Sequence, residues 1–456
     1  MVEALRGQSH LFTDTLKRLL RRNADPNIRR ILTRTHPVDL AHVFDRFLPD
    51  EQQRLLDLAE DEDYRAEVVA SLPLDFAVDL VSSMSVERVV ELLSAMSGDD
   101  RADILGELDE DVAAEIIAAL PDEDSDEVAE LLRYETTTAG GIMSPDVLAI
   151  SQDTSAEEAI KIIQSSPDVE MAFYIYVVND HHSLVGVLSL RQLVISRPNR
   201  PLEEIMSPHV VSVRTDEDQE EVARIVARYD LLAVPVVDDT NKLVGVVTVD
   251  DVIDVLREEA TEDILKMAGA GEALEARQSV LGSFVRRAPW LAVAWGGGVA
   301  ASIIIGHYEE TLTGVLALAA FIPIIIGMAG NVGTQSLAIV VRGLATRRID
   351  VKQFWRVCGR ELAVGLLLGA LYGAALGGWG LIQMREGTGQ NLLVLAGIVG
   401  SASAISMVLA AVVGATMPLL LARLRIDPAI ATGPFVTTTI DVLGVLIYFN
   451  IISVFV

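Results

Sequence analysis

Residues 433–456 read GPFVTTTIDVLGVLIYFNIISVFV. The run is long enough to cross a bilayer as a helix, and it carries one acid near its middle, Asp441. A carboxylate at that depth costs several kcal/mol unless it faces water, a partner or an ion. Every Lys and Arg of the last third of the chain lies at or near the end of an apolar run, so no base at bilayer depth answers it. An intramembrane acid without an intramembrane base is by default a site for a cation. Thr437 and Thr438 precede Asp441 by four and three residues and share its helical face. Gly433-Pro434 is expected to loosen the first turns and free carbonyl oxygens, and Asp427 stands at the cytoplasmic entrance of the same face.

Four more runs, residues 289–305, 312–341, 362–382 and 392–421, join 429–456 to make five spans. Each can cover about 30 Å of hydrocarbon at about 1.5 Å per residue. Arg286 and Arg287 precede the first span. Arg342, Arg347, Arg348, Lys352, Arg356 and Arg360 follow the second, and Arg423 and Arg425 follow the fourth. The opposite loops hold His307, Glu309, Glu310, Arg385 and Glu386. Ten bases against one put the N-terminus in the cytoplasm and the C-terminus outside. The first residues lack the apolar core of a signal peptide, which agrees. The expected location is the cell membrane.

The second span contains PIIIGMAGNVGTQS, residues 323–336. Pro323 should kink it. Asn331, Thr334 and Gln335 are polar on a helix that otherwise reads as lipid-facing, so they serve either as helix–helix glue or as pore lining. Ser401, Ser403 and Ser406 of the fourth span read as packing. One acid per chain makes a poor ion site. Two copies about a symmetry axis would give two carboxylates, which implies a homodimer. Mg²⁺ dehydrates reluctantly and is held by one or two carboxylates with waters and neutral oxygens, an inventory this segment supplies.

Charge separates the two parts of the chain. From Ser283 on, Lys and Arg outnumber Asp and Glu eleven to seven; before it they are outnumbered 25 to 58. So acidic a soluble region argues against nucleic acid or an anionic lipid surface and favours cations as partners. The single cysteine, Cys358, allows no intrachain disulfide. No phosphate loop, nucleophile elbow or clustered His/Cys site is present, so no enzyme is expected.

The middle repeats itself. IMSPDVLAISQDTSAEEAIKII from Ile142 is followed by LVGVLSLRQLV from Leu184. IMSPHVVSVRTDEDQEEVARIV from Ile205 is followed by LVGVVTVDDVI from Leu243. Strand, helix and strand–turn–strand–helix signals make each copy a small α/β unit, with turns at Asn179–His182 and Asp238–Asn241. The pattern resembles paired CBS domains, which sense ligands. That resemblance implies a nucleotide site at Thr248 and Asp251, where a Thr-x-x-Asp run contacts ribose; the same two residues also suit a helix cap. Ser189 and Gln192 depart from the pattern in the first copy.

Up to about residue 135 the spacing is helical, with breakers at Pro49, Pro73, Ser97-Gly98 and Pro121, a period of about 24 residues. Stacked helical hairpins fit it. Acids cluster at the turns: Glu60 to Asp63, then Asp99, Asp100 and Asp103, then Asp109 to Asp111. A second acidic stretch follows the second CBS copy: Asp250, Asp251, Asp254, Glu258, Glu259, Glu262 and Asp263. Two such surfaces repel, with a screening length of about 8 Å, unless divalent cations bridge them.

Five spans, PxxxGxxGNxGTQ and TTxxDxxG together resemble the MgtE family of magnesium channels. The resemblance implies a multidomain chain: a superhelical α-helical N-domain (1–137), a tandem α/β CBS pair (138–200 and 201–258), a connecting "plug" helix (259–282) and a five-helix α transmembrane pore domain (283–456). It implies a homodimer whose pore is lined by the second and fifth spans. Asp441 would be the selectivity site, with Asn331, Asp427, Thr437, Thr438 and Glu310 along the ion path. The acids Glu60, Asp99, Asp100, Asp103, Asp250, Asp251, Asp254, Glu258, Glu259, Glu262 and Asp263 would bind regulatory Mg²⁺, and ATP would sit at the CBS pair. Gly433 removes a side-chain ligand from a position that varies in the family. The rival readings are an ion-coupled secondary transporter with Asp441 as proton carrier, and a membrane-anchored nucleotide sensor. No inverted repeat supports the first. Residues alone do not rank Mg²⁺ above Co²⁺, Ni²⁺, Mn²⁺ or Ca²⁺.

Overall fold

A computed structural model describes residues 2–165, 173–267, 280–308, 316–383, 391–429 and 433–455. Its contacts divide the chain into two units, Met1–Glu258 and Glu259–Val456.

The first unit begins with ten helices: α1 (Val2–Arg21), α2 (Asp25–Leu32), α3 (Pro37–Ala41), α4 (Pro49–Leu58), α5 (Glu62–Ala70), α6 (Leu74–Ser82), α7 (Val86–Ser94), α8 (Gly98–Gly106), α9 (Glu110–Ala119) and α10 (Asp122–Leu131). Every breaker in the sequence opens a helix. Pro49 is the first residue of α4, and Pro73, Ser97 and Pro121 are the N-cap positions of α6, α8 and α10. Proline suits these places because its missing N–H falls where a helix has no partner for it. Two helices fill each period. Leu55, Val68, Val78, Leu93, Leu105 and Ile116 are buried in one continuous core. Each such side chain stabilises by roughly 1.5–3 kcal/mol.

The two repeats fold alike. β1 (Ala149–Ser151), β2 (Tyr174–Val178) and β3 (Leu184–Ser189) form one sheet; β4 (Val213–Arg214), β5 (Ala233–Val237) and β6 (Leu243–Thr248) form the other. In each, the first pair is parallel and the second antiparallel. Even the irregularity repeats, after Val177 opposite Gly186 and after Val236 opposite Gly245. Helices α11 (Ala156–Ser165), α12 (Leu190–Ile195), α13 (Gln219–Tyr229) and α14 (Val249–Met267) complete the pair. Asn179 Oδ1 and Asp238 Oδ1 accept the N–H groups of their own turns, and the turns then join: Leu184 N donates to Asn241 O at 2.9 Å. Tyr176, Leu184, Ala233, Val237 and Val246 share one core, so neither copy is closed without the other.

Among its described residues the second unit holds five helices of membrane-spanning length and hydropathy: span 1 (Val280–His307), span 2 (Leu318–Ala345), span 3 (Val351–Gln383), span 4 (Leu392–Arg423) and span 5 (Gly433–Phe455). Pro323 does not kink span 2. It lies in the first turn of the α-helix Ile322–Ala345, directly after the 3₁₀ segment Leu316–Phe321, where proline costs no hydrogen bond. Span 3 starts well before residue 362, which takes Glu361 inside it. Spans 3 and 4 meet backbone to backbone. A Cβ added at Gly369 would lie 2.7 Å from Ala404 O, and one at Gly373 would lie 2.6 Å from Gly400 O. Such close approach is what small residues permit in a membrane.

Candidate pore and acidic cleft

Span 2 sorts its motif by face. Asn331, Thr334 and Gln335 are exposed on one side, whereas Val332, Gly333, Ser336 and Leu337 are buried on the other. The buried side packs by glycine: Gly414 of span 4 lies against Gly333 O, and Gly333 faces Ile440 of span 5. This packing brings Gly330 to Asp441, whose Oδ1 is 4.0 Å from where a Cβ on Gly330 would stand. The two sequence motifs therefore meet, and they meet at the acid. Thr437 Oγ1 donates to Gly433 O at 2.9 Å, which leaves its oxygen lone pairs available. Thr438 turns toward span 1, with its methyl group against Gly297. Glu310 lies outside the described residues, as does the 268–279 part of the expected connecting helix.

Asp427 is engaged rather than open. Its Oδ1 accepts the N–H of Ala429 at 2.8 Å and its Oδ2 accepts Lys266 Nζ at 2.9 Å. Lys266 also lies 2.6 Å from Glu262 Oε1. Burial works against the charge on Lys266, yet the bonds to Glu262 and Asp427 hold the ammonium above the usual lysine range. Burial, then Asp427 and Glu259, push the Asp263 carboxyl up.

In the first unit a cleft of about 690 Å³ is lined by Asp99, Asp100, Asp103, Asp251, Asp254 and Glu258. The acids come from two helices: Asp99 and Asp100 in the first turn of α8 with Asp103 one turn on, and Asp251 in the first turn of α14 with Asp254 and Glu258 one and two turns on. Those in the first turns are favoured locally by their own helix dipoles. Their convergence is not: burial, then Asp99, Asp100, Asp251 and Glu258, push Asp103 up to about 7. Burial also pushes Asp251 up to about 7, with Asp99 and Asp250 adding to it against the hydrogen bonds from Thr248. Asp99 Oδ1 is buried without a hydrogen-bond partner. Arg101 fixes this face of α8 from behind. Its Nε donates to Leu93 O at 2.9 Å, its Nη2 donates to Met96 O at 3.0 Å, and its Nη1 stands 3.0 Å from Asp124.

Carboxylate oxygens are the donors Mg²⁺ takes, and the ion commonly keeps waters between itself and all but one or two of them. Among the described residues no three acids, histidines or cysteines are close enough to hold one bare ion. Asp254 pairs with Arg257 at 3.2 Å. Glu60 stands elsewhere, paired with Arg29. Thr248 N and Oγ1 donate to Asp251 Oδ2 across the first turn of α14; at α12 Ser189 N donates to Gln192 Oε1 and Gln192 N donates to Ser189 Oγ. In both copies the side chain of the third helix residue accepts the N–H that precedes the helix, and at α12 the hydroxyl closes the full capping box.

Glu361 is the acid that sequence reading passed over. It is 4% exposed, and its Oε2 accepts Ser336 Oγ at 2.8 Å. Its sequence neighbours Arg356 and Arg360 made it read as loop.

Comparison with known proteins agrees with this architecture. Residues 322–451 match the family described as divalent cation transporter, MgtE; residues 35–137 match the MgtE intracellular N domain; residues 139–197 and 202–258 match the CBS domain. The chain is 42% identical over 332 residues to the magnesium transporter MgtE of Thermus thermophilus, covering 71% of each chain. It is 37% identical over 334 residues to the magnesium transporter MgtE of Bacillus subtilis, covering 73% of each. A crystal structure of the cytosolic domain of the Mg²⁺ channel MgtE in complex with ATP is similar with a TM-score of 0.51 and 38% identity, over 53% of this chain and 98% of that one.

Proposed function

This chain belongs to the MgtE family of magnesium transporters, and from that premise we propose that it is a Mg²⁺-selective uptake channel gated by cytosolic Mg²⁺. One observation carries the gating reading: α8 and α14 bring six acids, Asp99, Asp100, Asp103, Asp251, Asp254 and Glu258, into a single cleft against one arginine, Arg257. Without a divalent cation the two helix starts repel. With one they are held together, and α14 is fixed at its beginning. Several weak carboxylate sites acting at once give sensing at the high concentrations at which cytosolic Mg²⁺ is kept.

Along the path, Asp441 offers its carboxylate beside the backbone of Gly330, and Asn331 and Thr437 add neutral oxygens. A hydrated Mg²⁺ needs no more from one chain, and a second copy of the chain about a two-fold axis doubles it. The N-terminus faces the cytoplasm in this reading, as the loop charges require. The division at residues 137, 200, 258 and 282 is part of the same proposal. ATP at the CBS pair is its last part, with the ribose at Thr248 and sharing Asp251 with the helix cap.

Flux into liposomes containing the full chain, with internal Mg²⁺ stepped, tests the proposal. Replacing Asp99, Asp103, Asp251 and Glu258 together by their amides should keep the path open at internal Mg²⁺ that closes the wild type. Closure unchanged by those four substitutions would overturn the gating reading.

A further inference from the structure

Glu361 lies within a membrane span, is nearly inaccessible, and has no part in the ion path just described. Leucine there would avoid the cost of burying a polar group. What the carboxylate supplies is a strong acceptor for Ser336, itself 3% exposed, on the buried face of span 2. Ser336 follows Asn331 by five residues, which puts them roughly 140° apart around the helix. The pin and the pore-facing motif are therefore on opposite flanks of one helix. The other contacts on the buried flank are apolar or glycine contacts, as at Val332, Gly333 and Val340. To these contacts the Ser336–Glu361 hydrogen bond adds a directional tie. A rotation of about 20° would move a side-chain tip at about 5 Å radius by roughly 2 Å. That would turn Asn331 and the Gly330 backbone away from Asp441.

We infer that Glu361 is a positioning residue that sets the rotation of span 2 through Ser336, and with it the geometry that discriminates among divalent cations. This rests on the reading that spans 2 and 5 line the path.

The test uses the full chain in liposomes, with Mg²⁺, Co²⁺ and Ca²⁺ flux measured for Glu361→Gln, Glu361→Leu, Ser336→Ala and the Glu361→Leu/Ser336→Ala double variant, beside Asp441→Asn. Glutamine keeps the acceptor and removes the charge, so Glu361→Gln should match wild type within about twofold. Glu361→Leu and Ser336→Ala should each lower Mg²⁺ flux roughly tenfold, the weight of a buried hydrogen bond whose loss leaves one partner unsatisfied. Each should also shift the Mg²⁺:Co²⁺ ratio, and the double variant should be no worse than either alone. Ser336→Ala carries the test should Glu361→Leu not fold. Glu361→Gln failing along with Glu361→Leu would overturn the inference, as would losses that multiply in the double variant. If Asp441→Asn conducts as wild type, the pore reading falls. If Asp441→Asn is silent while Ser336→Ala keeps wild-type flux and ratio, the positioning role alone falls.

Discussion

Lys266 Nζ donates to Asp427 Oδ2 across 161 residues of chain, at 2.9 Å. The bond joins the end of α14 to the loop before span 5. It gives the acidic connecting segment a cation that is shared with Glu262.

Lys266→Met removes that tie. A partly exposed ion pair is worth about 1 kcal/mol or less. The internal Mg²⁺ needed for half-closure should therefore rise only a few-fold, with maximal flux unchanged. Flux titrated against internal Mg²⁺ measures it. An unchanged midpoint would show that the pair contributes nothing to gating.

Asp441→Asn keeps size and removes charge. Mg²⁺ flux should fall by roughly two orders of magnitude, since a full charge at low effective dielectric outweighs several neutral oxygens. The oligomeric state on size exclusion should stay as in wild type.

Gly330→Ala and Gly414→Ala separate space in the path from space in the packing. The new methyl at residue 330 reaches only ordinary contact with Asp441, so that variant should fold normally and conduct less. The methyl at residue 414 meets the backbone oxygen of Gly333, which has no room to yield. A loss of about 1–3 kcal/mol is expected there, visible as a lower melting temperature in detergent.

Asp103 and Asp251 make stability depend on pH in a direction opposite to acid denaturation. Below about pH 4 both are protonated, folded or unfolded. Between that value and about 7 the unfolded chain releases protons that the folded chain retains, so stability falls as pH rises. Above about 7 the loss is complete. In chelator, Asp103→Asn should therefore raise stability at pH 8 by about 1–2 kcal/mol and do little at pH 4. Added Mg²⁺ should shrink the difference.

Arg101→Met takes a buried guanidinium from two carbonyl oxygens and from Asp124. A cost of about 3 kcal/mol follows from the groups left unpaired. Chemical denaturation followed by circular dichroism measures it.

Much of this structure is legible in the chain because its signals are local. Apolar length gives the spans, the 24-residue spacing of breakers gives the helix pairs, and two copies in register give the CBS sheets. Asp441 stands out because nothing near it in sequence answers its charge. What was not legible depends on distant pairing. Nothing at residues 99–103 says that residues 250–258 lie opposite. The acids of Glu60 and Asp99 look alike in sequence, yet only Glu60 has an arginine, Arg29, beside it. Glu361 was missed by a single residue at the edge of an apolar run, because neighbouring arginines pulled the boundary inward. Pro323 was misread for a related reason: a proline inside an apolar run signals a kink or a helix start equally well, and only the backbone before it decides.

The glycine contacts of spans 3 and 4 carry a last consequence. A hydropathy scale scores glycine to leucine in these spans as an improvement, yet at residues 369 and 373 the incoming side chain would occupy the partner's backbone. Substitution tolerance along this seam is governed by volume alone, and lipid solubility is irrelevant to it. Two helices joined that way slide or separate only as a block. They form one block, and span 2 is tied to it by Ser336 on Glu361 of span 3 and by Gly333 on Gly414 of span 4.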